Sequence, residues 1–267
     1  MTSFANPFAA HMSPSSFSKI TIFAAALLFQ TALGICGPIE ELMARGDACD
    51  QHFSAAEALK CYLPAEKLEP KNVHVLTRIA RQYRHLMQDA TAPAEKLRLG
   101  RIAIDYSERA VSLDPDDAEA QLSVAISLGK VMPQLPMKEQ VTASYRIKAT
   151  VDNSLRLDPH NDLAWHVLGR WNRVLADVSA TKRLLAPIFA GKLPRGTNAD
   201  AVKCLEKAIE IDPNRLMHYI ELGRVYAQMG NAAEARRLIE KGLSMPNTEK
   251  DDPEEKVHGR ETLEKLH

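Results

Sequence analysis

The sequence predicts an all-α fold in which helical hairpins stack into a superhelix, and three observations carry that expectation. Ala, Leu, Arg, Glu and Lys are abundant, glycine occurs only 12 times and alternating Val, Ile and Thr runs are few, which is the composition of helices packed on helices. A helix-ending phrase recurs four times, as Leu68-Glu69-Pro70, Leu113-Asp114-Pro115, Leu157-Asp158-Pro159 and Ile211-Asp212-Pro213. Each phrase follows one amphipathic segment and precedes another.

Proline ends a helix, because it lacks an N–H and its ring crowds the preceding turn. The residues that follow (Lys71-Asn72, Asp116-Asp117, His160-Asn161, Asn214-Arg215) supply caps, so the chain should reverse at each phrase. The four prolines are 45, 44 and 54 residues apart, against about 34 for a tetratricopeptide repeat (TPR). Aligned from its proline, each unit fits the TPR pattern in both helices, with the surplus of 11, 10 and 20 residues placed between them. The last unit is nearly regular: Tyr219, Leu222, Gly223 and Tyr226, a tight turn at Met229-Gly230-Asn231, then Ala235 and Ile239. In the first unit Gly46 should meet Ala58, with Tyr62, Ala65 and Pro70 following. The small residue on each first helix (Gly46, Ala80, Ala125, Gly169, Gly223) lets the second helix approach closely.

Five TPR-like units are therefore expected from about Ile39 to Pro246, that is ten repeat helices in domain 35–246. A capping helix from about Pro253 to Leu266 closes domain 247–267. Its sparse apolar stripe is Val257, Leu263 and Leu266, and Glu249, Asp251, Asp252, Glu254 and Glu255 are assigned to the solvent side. Pro64, inside the second helix, should kink or shorten it.

The stretched units contain Trp165-His166-Val167-Leu168-Gly169-Arg170-Trp171, then Lys182-Arg183-Leu184-Leu185-Ala186-Pro187-Ile188-Phe189. With these segments the chain from about Ile39 onward resembles the regulator of microtubule dynamics family. The resemblance implies a TPR domain that works as a binding module. It also associates the family with N-terminal membrane segments, microtubules, mitochondria, organelle contacts and lipid binding. An exported or bacterial relative would not meet tubulin, so only the fold and the binding-module character are carried over.

Residues 1–34 read as a secretory leader: Ile20 to Phe29 is an uncharged apolar run after Lys19, and Ala32 and Gly34 suit cleavage after Gly34. Met12 would give a more ordinary start. The chain is thus expected to be exported, periplasmic or secreted; the alternative is a membrane anchor over residues 20–36, although the run is shorter than a span of about 20 residues. Leu33-Gly34-Ile35-Cys36 departs from a lipobox at the bulky Ile35. Cys36, Cys49, Cys61 and Cys204 are too sparse for a disulfide scaffold, and the Cys49-x-x-His52 spacing lacks a second ligand pair, so no metal is expected. No cofactor is expected either, since neither GxGxxG nor GxxxxGK[ST] occurs and Gly191-Lys192-Leu193-Pro194-Arg195-Gly196 matches neither. No GxSxG elbow accompanies the Ser, His and Asp residues, and a non-enzymatic protein is expected.

Lys plus Arg and Asp plus Glu both total 34, so no overall field draws in nucleic acid and charge-driven binding must be local. Between Trp165 and Arg195 six basic residues face only Asp177. On the first helices Arg78, Arg81, Arg84, Arg170, Arg173 and Arg224 fall at positions that line a TPR groove. The planar guanidinium suits carboxylates and phosphates, so the expected partner is an acidic protein or peptide segment, with a phospholipid as the alternative. Ile126, Val167, Met217 and Ile220 could take its apolar part. Pairing of these arginines with acids of neighbouring repeats is the competing reading. The insert 178–198 reads as a short amphipathic helix broken near Pro187, with Lys182, Arg183 and Phe189 as its contact residues. It would pack on the repeats, or form a lid or membrane contact. A groove lined by Leu, Ile, Val and Met would instead point to a lipid or amphiphile carrier.

Overall fold

The computed structural model describes Met1 and residues 37–179 and 191–266, so most of the leader, Cys36 and the insert residues Lys182, Arg183 and Phe189 lie outside the described residues. The described residues from Leu42 onward belong to one compact unit. Among the described residues there are eleven α-helices and no strand. They are α1 Pro38–Gln51, α2 Ala55–Leu68, α3 Val73–Asp89, α4 Pro93–Leu113, α5 Ala118–Val131, α6 Met137–Leu157, α7 Asp162–Ala176, α8 Asn198–Ile211, α9 Leu216–Gln228, α10 Ala232–Ser244 and α11 Asp252–Glu264. No helix among the described residues is long and apolar enough to cross a membrane.

The phrases act locally as the sequence predicts. After three of the four prolines an Asx side chain caps the next helix: Asn72 accepts from Val75 N at 3.2 Å, Asp117 from Ala120 N at 2.7 Å and Asn161 from Ala164 N at 3.0 Å. Arg215 stands at the fourth such position without capping α9. Sequence-adjacent helices then pack as hairpins, α3 on α4, α5 on α6, α7 on α8 and α9 on α10.

Two expectations need correction. The surplus residues of units two and three lengthen the helices instead of lying between them: α4 and α6 have 21 residues each, whereas both helices of the last unit have 13. Extending a helix adds a hydrogen bond per residue, whereas a longer loop adds none. Nor does Pro64 shorten α2, which runs through it to Leu68. Pro64 and Lys60 both face water, which satisfies the carbonyl that loses its helical donor.

The small residues on the first helices sit at the crossings. Gly46 lies under the Tyr62 ring, where an added Cβ would come within 2.4 Å of it, and Gly169 lies under Leu205 at 2.6 Å. At Gly223 a Cβ would meet Ile239 Cγ1 at 2.5 Å and the Ala235 carbonyl at 3.0 Å, so backbone as well as side chain must give. Gly223→Leu is expected to destabilise the chain by about 1–3 kcal/mol, seen as an earlier thermal transition; an unchanged melting temperature would place the crossing elsewhere. The two tryptophans of α7 divide: Trp171 is buried and donates to the Ser144 carbonyl at 2.9 Å, while Trp165 is half-buried and donates to Pro159 O.

Candidate partner-binding groove

Cations from successive first helices converge on one segment, residues 249–255, which carries five acidic residues in seven. Arg81 of α3 and Arg215 before α9 hold Glu249 from two sides, at 3.4 and 2.8 Å. Lys130 of α5 contacts Asp251 at 2.7 Å, and Arg170 of α7 contacts Glu255 at 2.8 Å. Gln88 donates to Glu254 at 3.0 Å, and the direction reverses once, where Lys250 meets Asp89 at 2.7 Å. Cations of α3, α5 and α7, with Arg215 before α9, thus meet the chain's own C-terminal segment, which lies against these helices.

This overturns the assignment to solvent for four of those acids, while Glu254 is exposed as expected. Asp252 and Glu255 are buried and Val257 is 43% exposed, against the expected facing, whereas Leu263 and Leu266 are half-buried. Charge pairing across the groove outweighs the weak apolar stripe of α11, whose close contact with the repeats is made by Gly259 against Ile239 and Ile220. Burial alone would raise the Glu255 carboxyl, but His258 and Arg170 beside it hold it well below the usual carboxylate range. Burial likewise opposes the charge on Arg170, and Glu255 and Glu221 reverse that effect and raise its pKa.

The six predicted arginines separate into four roles. Arg81 and Arg170 hold the segment. Arg78 ties α1 to α5 through Asp47 at 3.3 Å and Glu119 at 2.8 Å. Arg173 and Arg224 clamp the fully buried Glu221 at 2.6 and 2.8 Å. Arg84 is buried with its guanidinium on the hydroxyls of Ser123 and Ser127, both at 3.0 Å. Burial, then the neighbouring Arg81, lower its pKa to about 10. Pairing with acids of neighbouring repeats therefore takes Arg78 and Arg173, as the competing reading anticipated, and also engages Arg81 through Asp50 of α1 at 3.2 Å, whereas Arg224 pairs within its own helix. Of the apolar candidates, Ile220 is fully buried beneath α10 and α11, and Ile126, Val167 and Met217 are half-buried.

Lys130 and Arg215 carry no groove signal in the sequence, since Arg215 occupies a capping position and Lys130 ends a mostly apolar helix. The signal that could have found them is the acidic run itself, in a chain of zero net charge. Beneath the groove His218 joins His166 at 3.1 Å and Asp162 at 3.0 Å, and Arg215 reaches the same Asp162 at 2.9 Å. Both histidines are buried, so this relay serves packing. Past the insert, residues 191–197 return to the repeats, where the Tyr145 hydroxyl donates to Lys192 O at 3.0 Å.

The family model described as regulator of microtubule dynamics protein 1-3 matches residues 42–267. The chain belongs to this family. It is 27% identical over 217 residues to regulator of microtubule dynamics protein 1 of Mus musculus, covering 80% of this chain and 70% of that protein. It is 26% identical over 236 residues to the Bos taurus protein, covering 87% and 71%. Among solved structures, a thermophilic TPR protein of Thermus thermophilus superposes with a TM-score of 0.62 at 15% identity, over 84% of this chain and 98% of that one. Pseudomonas aeruginosa PilF gives 0.51 at 12%, over 86% and 88%. The fold is that of a TPR solenoid, as the helix phrases predict.

Proposed function

We propose that this member of the regulator of microtubule dynamics family is a non-enzymatic TPR scaffold that captures an acidic segment of a protein partner in its basic concave groove. One observation carries the reading: the groove holds an acidic segment already, and Arg81, Lys130, Arg170 and Arg215 each engage one of its carboxylates. Charge-assisted contacts of this kind select carboxylate-bearing chains and orient them. The charged lining favours this over the amphiphile carrier, which needs an apolar wall.

The test uses a fluorescent peptide with the sequence of residues 247–266 as a defined acidic probe, followed by anisotropy at low salt. The full chain is expected to bind it, with affinity falling steeply as salt rises. The Arg81→Glu/Arg170→Glu variant is expected to lose at least about tenfold, since each reversal replaces a charge-assisted contact by repulsion. Equal binding by that variant, or preference for phosphatidylserine vesicles over the peptide, would overturn the reading.

A further inference from the structure

Resting on that reading, we infer that residues 248–255 are a built-in occupant of the groove, and that the partner is a segment of matching chemistry, an acidic helix start that displaces them. The recognition pattern is then Glu249, Asp251 and Glu255, with carboxylates at the first, third and seventh positions of the acidic run.

Three observations support this. The segment is braced by its own bonds: Asp252, the first residue of α11, accepts the N–H groups of Thr248 and Glu249 at 2.7 and 2.8 Å, which closes the turn that leads into the helix. Its hold on the repeats is mainly ionic and in part open to solvent, with Glu249 30% and Asp251 24% exposed, which leaves those pairs subject to screening and exchange. The polar fit is also loose: Glu255 Oε2 and His258 Nδ1 are buried with only each other in reach, at 3.6 Å and without a hydrogen bond. Such groups weaken the docked state relative to one that satisfies them. A partner segment must therefore compete with a tethered rival, and its apparent affinity is reduced by the fraction of molecules whose groove is open.

The experiment compares the full chain with a full-chain Glu249→Gln/Asp251→Asn/Glu255→Gln variant, which leaves the turn closed by Asp252 intact. The labelled 247–266 peptide is expected to bind this variant at least about tenfold more tightly, which corresponds to a wild-type groove that is occupied about nine-tenths of the time. A peptide with the same three substitutions should bind neither. Equal affinity for variant and wild type overturns the inference and leaves the groove reading standing; absence of binding to both overturns the groove reading as well. Hydrogen exchange on the wild-type chain covers the case of a variant that misfolds: amides of 248–264 are expected to lose protection in about 1 M salt or excess peptide while α3 to α10 keep theirs, and uniform loss would overturn the inference. A wild-type dimer that dissociates on adding peptide would assign the groove to a second copy and overturn it too.

Discussion

Replacing Glu221 by glutamine is expected to remove about 3–5 kcal/mol of stability, the largest effect of any single substitution considered. Its side chain has no exposed surface, and its two oxygens neutralise Arg173 and Arg224, which are themselves only 12% and 20% exposed. Burial would raise the Glu221 carboxyl, but the surrounding Arg173, Arg170 and Arg224 hold it far below the usual range. Without that anion two guanidinium groups stay desolvated and repel each other. Replacing Glu221 and both arginines together by apolar residues of similar volume should cost far less, because no charge is then stranded. Urea unfolding measures both variants, and a loss below about 1 kcal/mol for Glu221→Gln would show that water or another acid reaches the pair.

Acidification is the second large effect, and it should come in two stages. His85 and His166 are buried, and His166 is held at about 3, first by burial and then by the adjacent His218; His85 is lowered first by burial and then by Arg81. Below their ordinary value of 6.5 the unfolded chain takes up protons that the folded chain refuses. Stability is therefore fully present above pH 6.5 and declines as pH falls, by about 2 kcal/mol per histidine at pH 5. Glu221 and Glu255, both depressed in the folded state, add a second loss once pH drops through their ordinary value of 4.5. The melting temperature should fall between pH 7.5 and 5 and more steeply below, and His166→Gln should flatten the first stage. Identical melting temperatures at pH 7.5 and 5 would refute the burial of neutral histidines.

Apart from Arg224, three residues from Glu221 on the same helix, both effects come from groups whose partners no spacing rule reveals, and this marks the division between what was legible and what was not. The helix phrases, their Asx caps and the small residues at the crossings are local chemistry, set within a turn or a single hairpin of the chain. Thus Asn72, Asp117 and Asn161 cap where a proline has just ended a helix, and Gly223 meets Ile239 sixteen residues on, within a single hairpin. Helical periodicity also placed six arginines on first helices, without separating Arg81 and Arg170 from Arg173 and Arg224.

That separation depends on the superhelix. Arg81 meets Glu249 across 168 positions of sequence, and Arg170 meets Glu255 across 85. The sequence by itself determined the helices, their order and their hairpin pairing, because backbone hydrogen bonding, capping and proline geometry act between near neighbours. Only the tertiary structure decided which acids lie in the groove and which cations hold them, because a long charged side chain takes whatever partner the stacked repeats bring within reach.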